Sequence, residues 1–159
     1  MPIVECSATV GGPIADIFDL SQSYELRLDW DPFVKEQHPV DGTSRPDKGV
    51  QTHTKSRHGL VMISEYLTFR RPTLVGMKMI KGPAIFSLFS ASWRFVEIDP
   101  GRTEVVFRYN FSCRPKFLQP IMHRVGVWYL GRDIKRRIEA LKTAVETTDI
   151  LDRLRALPG

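Results

Sequence analysis

The chain has too little cysteine for a disulfide framework. Cys6 and Cys113 are its two cysteines, and neither belongs to a C-x-x-C pair, so reduced core thiols are expected. The four histidines, His38, His53, His58 and His123, show no H-E-x-x-H or comparable ligand spacing, and no bound metal is expected. A Gly-rich phosphate loop and a G-x-S-x-G elbow are also missing, which removes support for nucleotide-dependent and serine-hydrolase chemistry. No cofactor is expected. No apolar run approaches the roughly 18 residues of a membrane span, and the opening MPIVECSATV lacks a basic region followed by an apolar core. A cytoplasmic protein without an integral membrane segment is the expectation.

Acidic residues are outnumbered: the net charge is +5 and the pI is near 9.4. Such a balance suits an anionic partner. The densest cluster, Arg132, Lys135, Arg136 and Arg137, is however interleaved with Asp133 and Glu139 at ion-pair spacing, and reads as a solvated helix face. No RNP-like aromatic motif, zinc-finger spacing or helix-turn-helix pattern accompanies it, so no nucleic-acid partner is expected.

What is present is enough apolar residue for a sizeable core. At 159 residues and 42% hydrophobic, one domain is expected, spanning 1–148 with a tail at 149–159. The segment from Phe117 to about Thr147 is the one stretch long enough for a major helix. Val127, Leu130, Ile134, Ile138, Leu141 and Val145 recur in steps of three and four, opposite Arg132, Lys135, Arg136, Glu139 and Lys142. Begun at Pro120, which suits a first helical turn, it would run roughly 40 Å at about 1.5 Å per residue.

Upstream, Ile3 to Val10 reads as a strand ended by Gly11, Gly12 and Pro13, and two short helices follow, the second ending near Leu28. Asp29 to Val34 breaks at Pro32 and leads into a strand from Phe33 to Val40. Val50 to Arg57, Leu60 to Phe69, Leu74 to Ile80 and Ala84 to Ile98 continue as a meander, and Asp99, Pro100, Gly101 and Arg102 close the last hairpin. In the final strand Val105, Phe107, Tyr109, Phe111 and Cys113 alternate with Val106, Arg108, Asn110, Ser112 and Arg114. Its neighbour places Ile85, Phe89, Ala91, Trp93 and Phe95 on one side. This period of two predicts a sheet with one wet and one buried face, covered by the long helix.

On VECSATVGGPIADIFDL, Trp30-x-Pro32, the Arg71-Pro72 hairpin, WRFVEIDPGRTEVVFRYNF and RDIKRRIEALKTAVE, the chain resembles the SRPBCC superfamily, also called START-like or Bet v 1-like. Within it the resemblance is to the polyketide cyclase/dehydrase and lipid-transport type, over almost the whole chain. It implies an α+β helix-grip fold. In that fold a curved antiparallel sheet of about seven strands wraps a long C-terminal helix, with two short helices after strand 1 and a cavity for an apolar ligand between sheet and helix.

The inward set then comprises Met77, Phe89, Trp93, Phe95, Phe107, Tyr109, Phe111 and Met122, each either a core filler or a ligand contact. Met79 belongs with Met77 and Met122 as an adaptable side chain. Gly126 and Gly131 fit either a bend or close approach beside the cavity, or a tight helix–sheet contact. The favoured reading is a module that binds or transfers a small hydrophobic molecule. The alternative is a polyketide cyclase/dehydrase-type enzyme working by general acid/base catalysis, with Tyr109 and His123 as first candidates and Tyr66 and Arg57 behind them. An interaction protein is a third reading. Ile150, Leu151, Leu154 and Leu157 in the tail either extend the helix to dock a second copy, giving a homodimer, or lie back on the domain.

Overall fold

The computed structural model describes residues 1–158. Strand β1 (Ile3–Val10) leads into helices α1 (Ile14–Gln22) and α2 (Arg27–Trp30). Six further strands follow: β2 (Val34–Pro39), β3 (Gln51–Ser56), β4 (Val61–Arg70), β5 (Leu74–Lys81), β6 (Phe86–Asp99) and β7 (Arg102–Cys113). A 3-10 turn at Lys116–Leu118 opens α3 (Gln119–Thr147), and a short α4 (Ile150–Arg155) ends the order. The strands form one seven-stranded sheet in the order β1-β7-β6-β5-β4-β3-β2, antiparallel throughout. This is the helix-grip architecture.

Alternation makes β7 the spine. Val105, Phe107, Tyr109, Phe111 and Cys113 are all buried, while Arg108 on the other face pairs with Glu5 of β1. The neighbouring strand departs from simple alternation, and the reason is a bulge between Phe86 and Leu88. One extra residue there puts Phe86 opposite Cys113 and Phe89 opposite Phe111, so both rings face inward. Phe86 was absent from the expected inward set. A second bulge between Tyr66 and Thr68 likewise turns Tyr66 and Phe69 to the same side, where the Phe69 ring meets Phe18 at 5.3 Å and Tyr66 at 5.4 Å, edge to face.

Helix α3 grips the sheet with its C-terminal two-thirds. Leu130, Ile134, Ile138, Leu141 and Val145 are buried as the periodicity predicts, but Val127 is exposed. Gly131 already lies over Val4, near the start of β1, so one turn earlier Val127 lies beyond that strand. A second difference concerns Arg137, expected on the solvated face and only 7% exposed. It shares the inner stripe with Leu130, Ile134 and Leu141. The tail lies back on the domain: Ile150 is buried, Leu151, Leu154 and Leu157 pack against the core, and Arg155 and Arg153 pair with Asp16 and Asp29.

Candidate functional site

Between the sheet and the N-terminal half of α3 lies a cavity of about 560 Å³, within the usual size of small-molecule sites. The reason it exists is visible in the helix: from Gln119 to Tyr129 no residue of α3 is buried, so this half stands over the sheet and does not fill the space. Its walls are mostly apolar. Four of the chain's five methionines, Met62, Met77, Met79 and Met122, line it, and these unbranched, polarizable side chains adapt to irregular guests. A more open hollow of about 710 Å³ lies between α1, α4 and the loop after β2. Its walls carry the exposed pairs Arg71–Asp19 and Arg155–Asp16 and it opens widely to solvent, so the cavity under α3 is the candidate site.

A hydrogen-bonded cluster of charged groups occupies one part of the cavity wall. Helix α2 ends at Asp31 because Pro32 follows, and the Asp31 carboxylate turns back to accept from the Phe33 N–H at 3.0 Å. That geometry points its other oxygen at two arginines. Arg27 Nε donates to Asp31 Oδ2 at 2.8 Å, and Arg137 Nη2 donates to the same oxygen at 2.8 Å. Arg137 Nη1 also donates to the Tyr109 hydroxyl, which donates in turn to Asp133 Oδ2 at 3.0 Å. The Arg137 guanidinium lies 4.8 Å from the Phe33 ring and 5.0 Å from the Phe107 ring, an apolar sandwich that fixes its plane.

Arg27, Tyr109, Asp133 and Arg137 all line the cavity, whereas Asp31 is fully buried behind them. Burial alone would raise the Asp31 carboxyl, but Arg137 and Arg27 together outweigh it and hold the group below the usual carboxylate range. Burial opposes the charge on Arg137 too, yet Asp31, Tyr109 and Asp133 around it keep it firmly protonated. Asp133 differs. Its half-buried carboxyl is pushed up by burial, against the pull of Arg137 and the Tyr109 hydroxyl. Burial likewise pushes the Tyr109 phenol up, so it stays protonated and donates.

Of the residues read from sequence, Met77, Phe89, Trp93, Phe107, Tyr109 and Met122 line the cavity. Phe95 and Phe111 do not. Phe95 packs on Phe18 at 5.2 Å between ring centroids, and Phe111 is sealed under the helix, where a Cβ on Gly126 would sit 2.6 Å from its ring. His123 is also off the cavity wall: its Nε2 accepts from the Cys113 N–H at 3.2 Å, so that lone pair is engaged. Tyr66 is buried with its hydroxyl on Gln22 at 3.1 Å, and Arg57 is exposed on the β3–β4 turn. Asp133 and Arg137 were missed as site residues. Their signal was spacing, since Leu130, Asp133, Arg137 and Leu141 step by three and four along one side of the helix.

The only close group of metal-ligating types among the described residues is Glu36, His38 and His53, whose ligand atoms lie within 4.8 Å of one another. It sits on the outer face of β2 and β3, away from the cavity, and is not contiguous in sequence because a cross-strand pair makes it.

A curled antiparallel sheet clasping one long helix over an apolar cavity defines a helix-grip protein of START-like type. The chain belongs to the polyketide cyclase / dehydrase and lipid transport family, whose sequence profile matches residues 1–146. Comparison with curated proteins found no match. Solved structures with the same fold include a START superfamily protein from Mycobacterium smegmatis, at TM-score 0.72 and 16% identity over 91% of this chain and 97% of that one. The protein TTHA0849 from Thermus thermophilus gives 0.75 and 12% over 91% and 97%. The Zhui aromatase/cyclase from Streptomyces sp. R1128 gives 0.67 and 16% over 92% and 96%.

Proposed function

We propose that the protein binds a small, largely apolar molecule in the cavity under α3 and carries or transfers it. The single observation that supports this best is the cavity's composition: an apolar, methionine-rich wall with the linked groups Arg27, Tyr109, Asp133 and Arg137 at one part of it. A guest with a carbonyl, hydroxyl or carboxylate end suits that wall. Arg27 Nη2 has no hydrogen-bond partner among the described residues, and Arg27 borders the cavity, so this donor is free for a guest's oxygen. The test is a displaceable fluorescent apolar probe, measured with the native chain and with Ala91→Trp, which fills the cavity from β6. Binding by the native chain and its loss in the variant is the expected result. Equal binding by both would overturn the assignment.

A second reading is supported by a separate observation, the raised carboxyl of Asp133 hydrogen-bonded to Tyr109 on the cavity wall. A carboxyl whose pKa is raised by burial and which faces a cavity is suited to general acid/base work. In a cyclase/dehydrase, Asp133 would take the proton from a methylene between two carbonyls, leaving the C–H electron pair in an enolate that Arg27 stabilises. The enolate carbon would attack a ketone further along the chain. The resulting alkoxide would take a proton from Tyr109 or Asp133, and loss of hydroxide with a neighbouring proton would release water. The aromatase/cyclase among the structural neighbours agrees with this chemistry only through its fold. Turnover of a poly-β-carbonyl substrate that Asp133→Asn abolishes, with probe affinity kept, would establish the enzyme.

A further inference from the structure

The start of α3 and the 3-10 turn before it carry a stripe of apolar residues on their outer side. Phe117, Ile121, Val125 and Trp128 follow one another in steps of four, four and three, so they form one stripe, and all four are exposed, Phe117 at 81% and Trp128 at 62%. Isolated exposed apolar residues are ordinary on a protein surface. A contiguous stripe containing two aromatics is not. Exposed Ile85, just before β6, adds a further apolar side chain at the cavity. Val125 also lines the cavity, as does exposed Tyr129, so the stripe borders the place where the cavity meets solvent.

The charge around the stripe has one sign. From Ser112 to Arg132 the sequence contains Arg114, Lys116, Arg124 and Arg132 and no aspartate or glutamate. Arg132 lies 5.0 Å from the Trp128 ring, with its charged head at the edge of the apolar stripe. Apolar side chains that can enter an acyl layer, rimmed by cations and free of acids, match an anionic lipid surface. They do not match a second copy of this chain. A two-fold contact through the stripe would set one all-basic rim, Arg114, Lys116, Arg124 and Arg132, against another. Among the described residues no helix is long and apolar enough to cross a membrane, so the contact would be peripheral.

We propose that this face docks on an anionic lipid surface with Phe117, Ile121, Val125 and Trp128 inserted at headgroup depth, bringing the cavity opening to the bilayer. The inference extends the reading of the cavity as a site for an apolar guest, since docking there would let the guest pass between lipid and protein without crossing water.

The fold supplies its own reporter. Of the three tryptophans, Trp30 and Trp93 are 5% and 2% exposed, so a blue shift of emission on adding vesicles reports Trp128. The protein is mixed with vesicles of phosphatidylcholine alone, or of equal parts phosphatidylcholine and phosphatidylglycerol, at low and high salt. Expected are a blue shift and co-sedimentation with the anionic vesicles, at least about tenfold weaker on neutral ones and in high salt. The double variant Ile121→Ser, Trp128→Ser should lose co-sedimentation while keeping affinity for the soluble apolar probe. Absence of a shift and of co-sedimentation on anionic vesicles at low salt would overturn the proposal. So would equal vesicle binding by the double variant, or a solution dimer that the double variant dissociates. The two readings fail separately: loss of probe binding without loss of vesicle binding removes the cavity reading alone.

Discussion

Asp31 and Arg137 meet at 2.8 Å although 106 positions separate them, and both are buried. The contact ties the end of α2 to the middle of α3 and sets the Arg137 guanidinium between Phe33 and Phe107. It therefore holds Arg27 and Arg137 in place on the cavity wall from behind, since Asp31 itself does not line the cavity.

Replacing Asp31 by Asn should destabilise the fold by about 3–5 kcal/mol, because two buried guanidinium groups lose their common counter-charge. The folded state lowers the Asp31 pKa, so its contribution is present above the ordinary carboxylate value of about 4 and is lost as pH falls through the lower folded value. Urea unfolding midpoints at neutral pH should drop sharply in the variant, and the gap to the native chain should close in strong acid. A gap unchanged by pH would show that the ion network does not carry the effect.

Asp133 has the opposite sign. Folding raises its pKa, so its favourable contribution is full below about pH 4, when it is protonated, and is lost as pH rises through the folded value. Asp133→Asn imitates the neutral acid and its amide oxygen can still accept from Tyr109. The variant should be more stable than the native chain at pH 7 and equal to it near pH 4, as read by denaturant titration. This is the behaviour of a group retained for a role other than stability.

The two glycines of α3 should respond in opposite directions to alanine. At Gly126 the new methyl would lie 2.6 and 2.8 Å from two atoms of the buried Phe111 ring, and overpacking of this kind costs about 1–3 kcal/mol. At Gly131 the nearest neighbour is Val4 at 3.6 Å, an ordinary contact, so helix propensity should dominate and add roughly 0.5–1 kcal/mol. Thermal melting of the two single variants measures both. Equal behaviour would mean that the helix can shift away from the sheet at Phe111.

Filling the cavity should separate stability from binding. Ala91 is cavity-lining and partly exposed, so Ala91→Trp should leave the melting temperature within a few degrees while abolishing probe binding. Met77→Ala, which enlarges the space, should keep binding and shift preference toward bulkier probes. A competition series with probes of graded length reads that shift.

The sequence by itself determined the elements, because each is written in a local period. The alternation of Val105, Phe107, Tyr109, Phe111 and Cys113 marked the inner face of β7, and Leu130, Ile134, Ile138, Leu141 and Val145 marked the gripping stripe of α3. It also determined where the chain turns, since Pro13, Pro32, Pro100 and Gly101 leave few backbone choices. Only the tertiary structure decided the site. A bulge shifted Phe86 inward, the late start of β1 left Val127 bare, and Phe111 was closed off by Gly126, none of which a residue's own neighbours reveal. Arg137 and Asp133 looked like members of a solvated basic face because their charges suggest water. Their burial depends on Asp31 and Tyr109 arriving from distant segments, and a charge can be buried only where such partners are already in place.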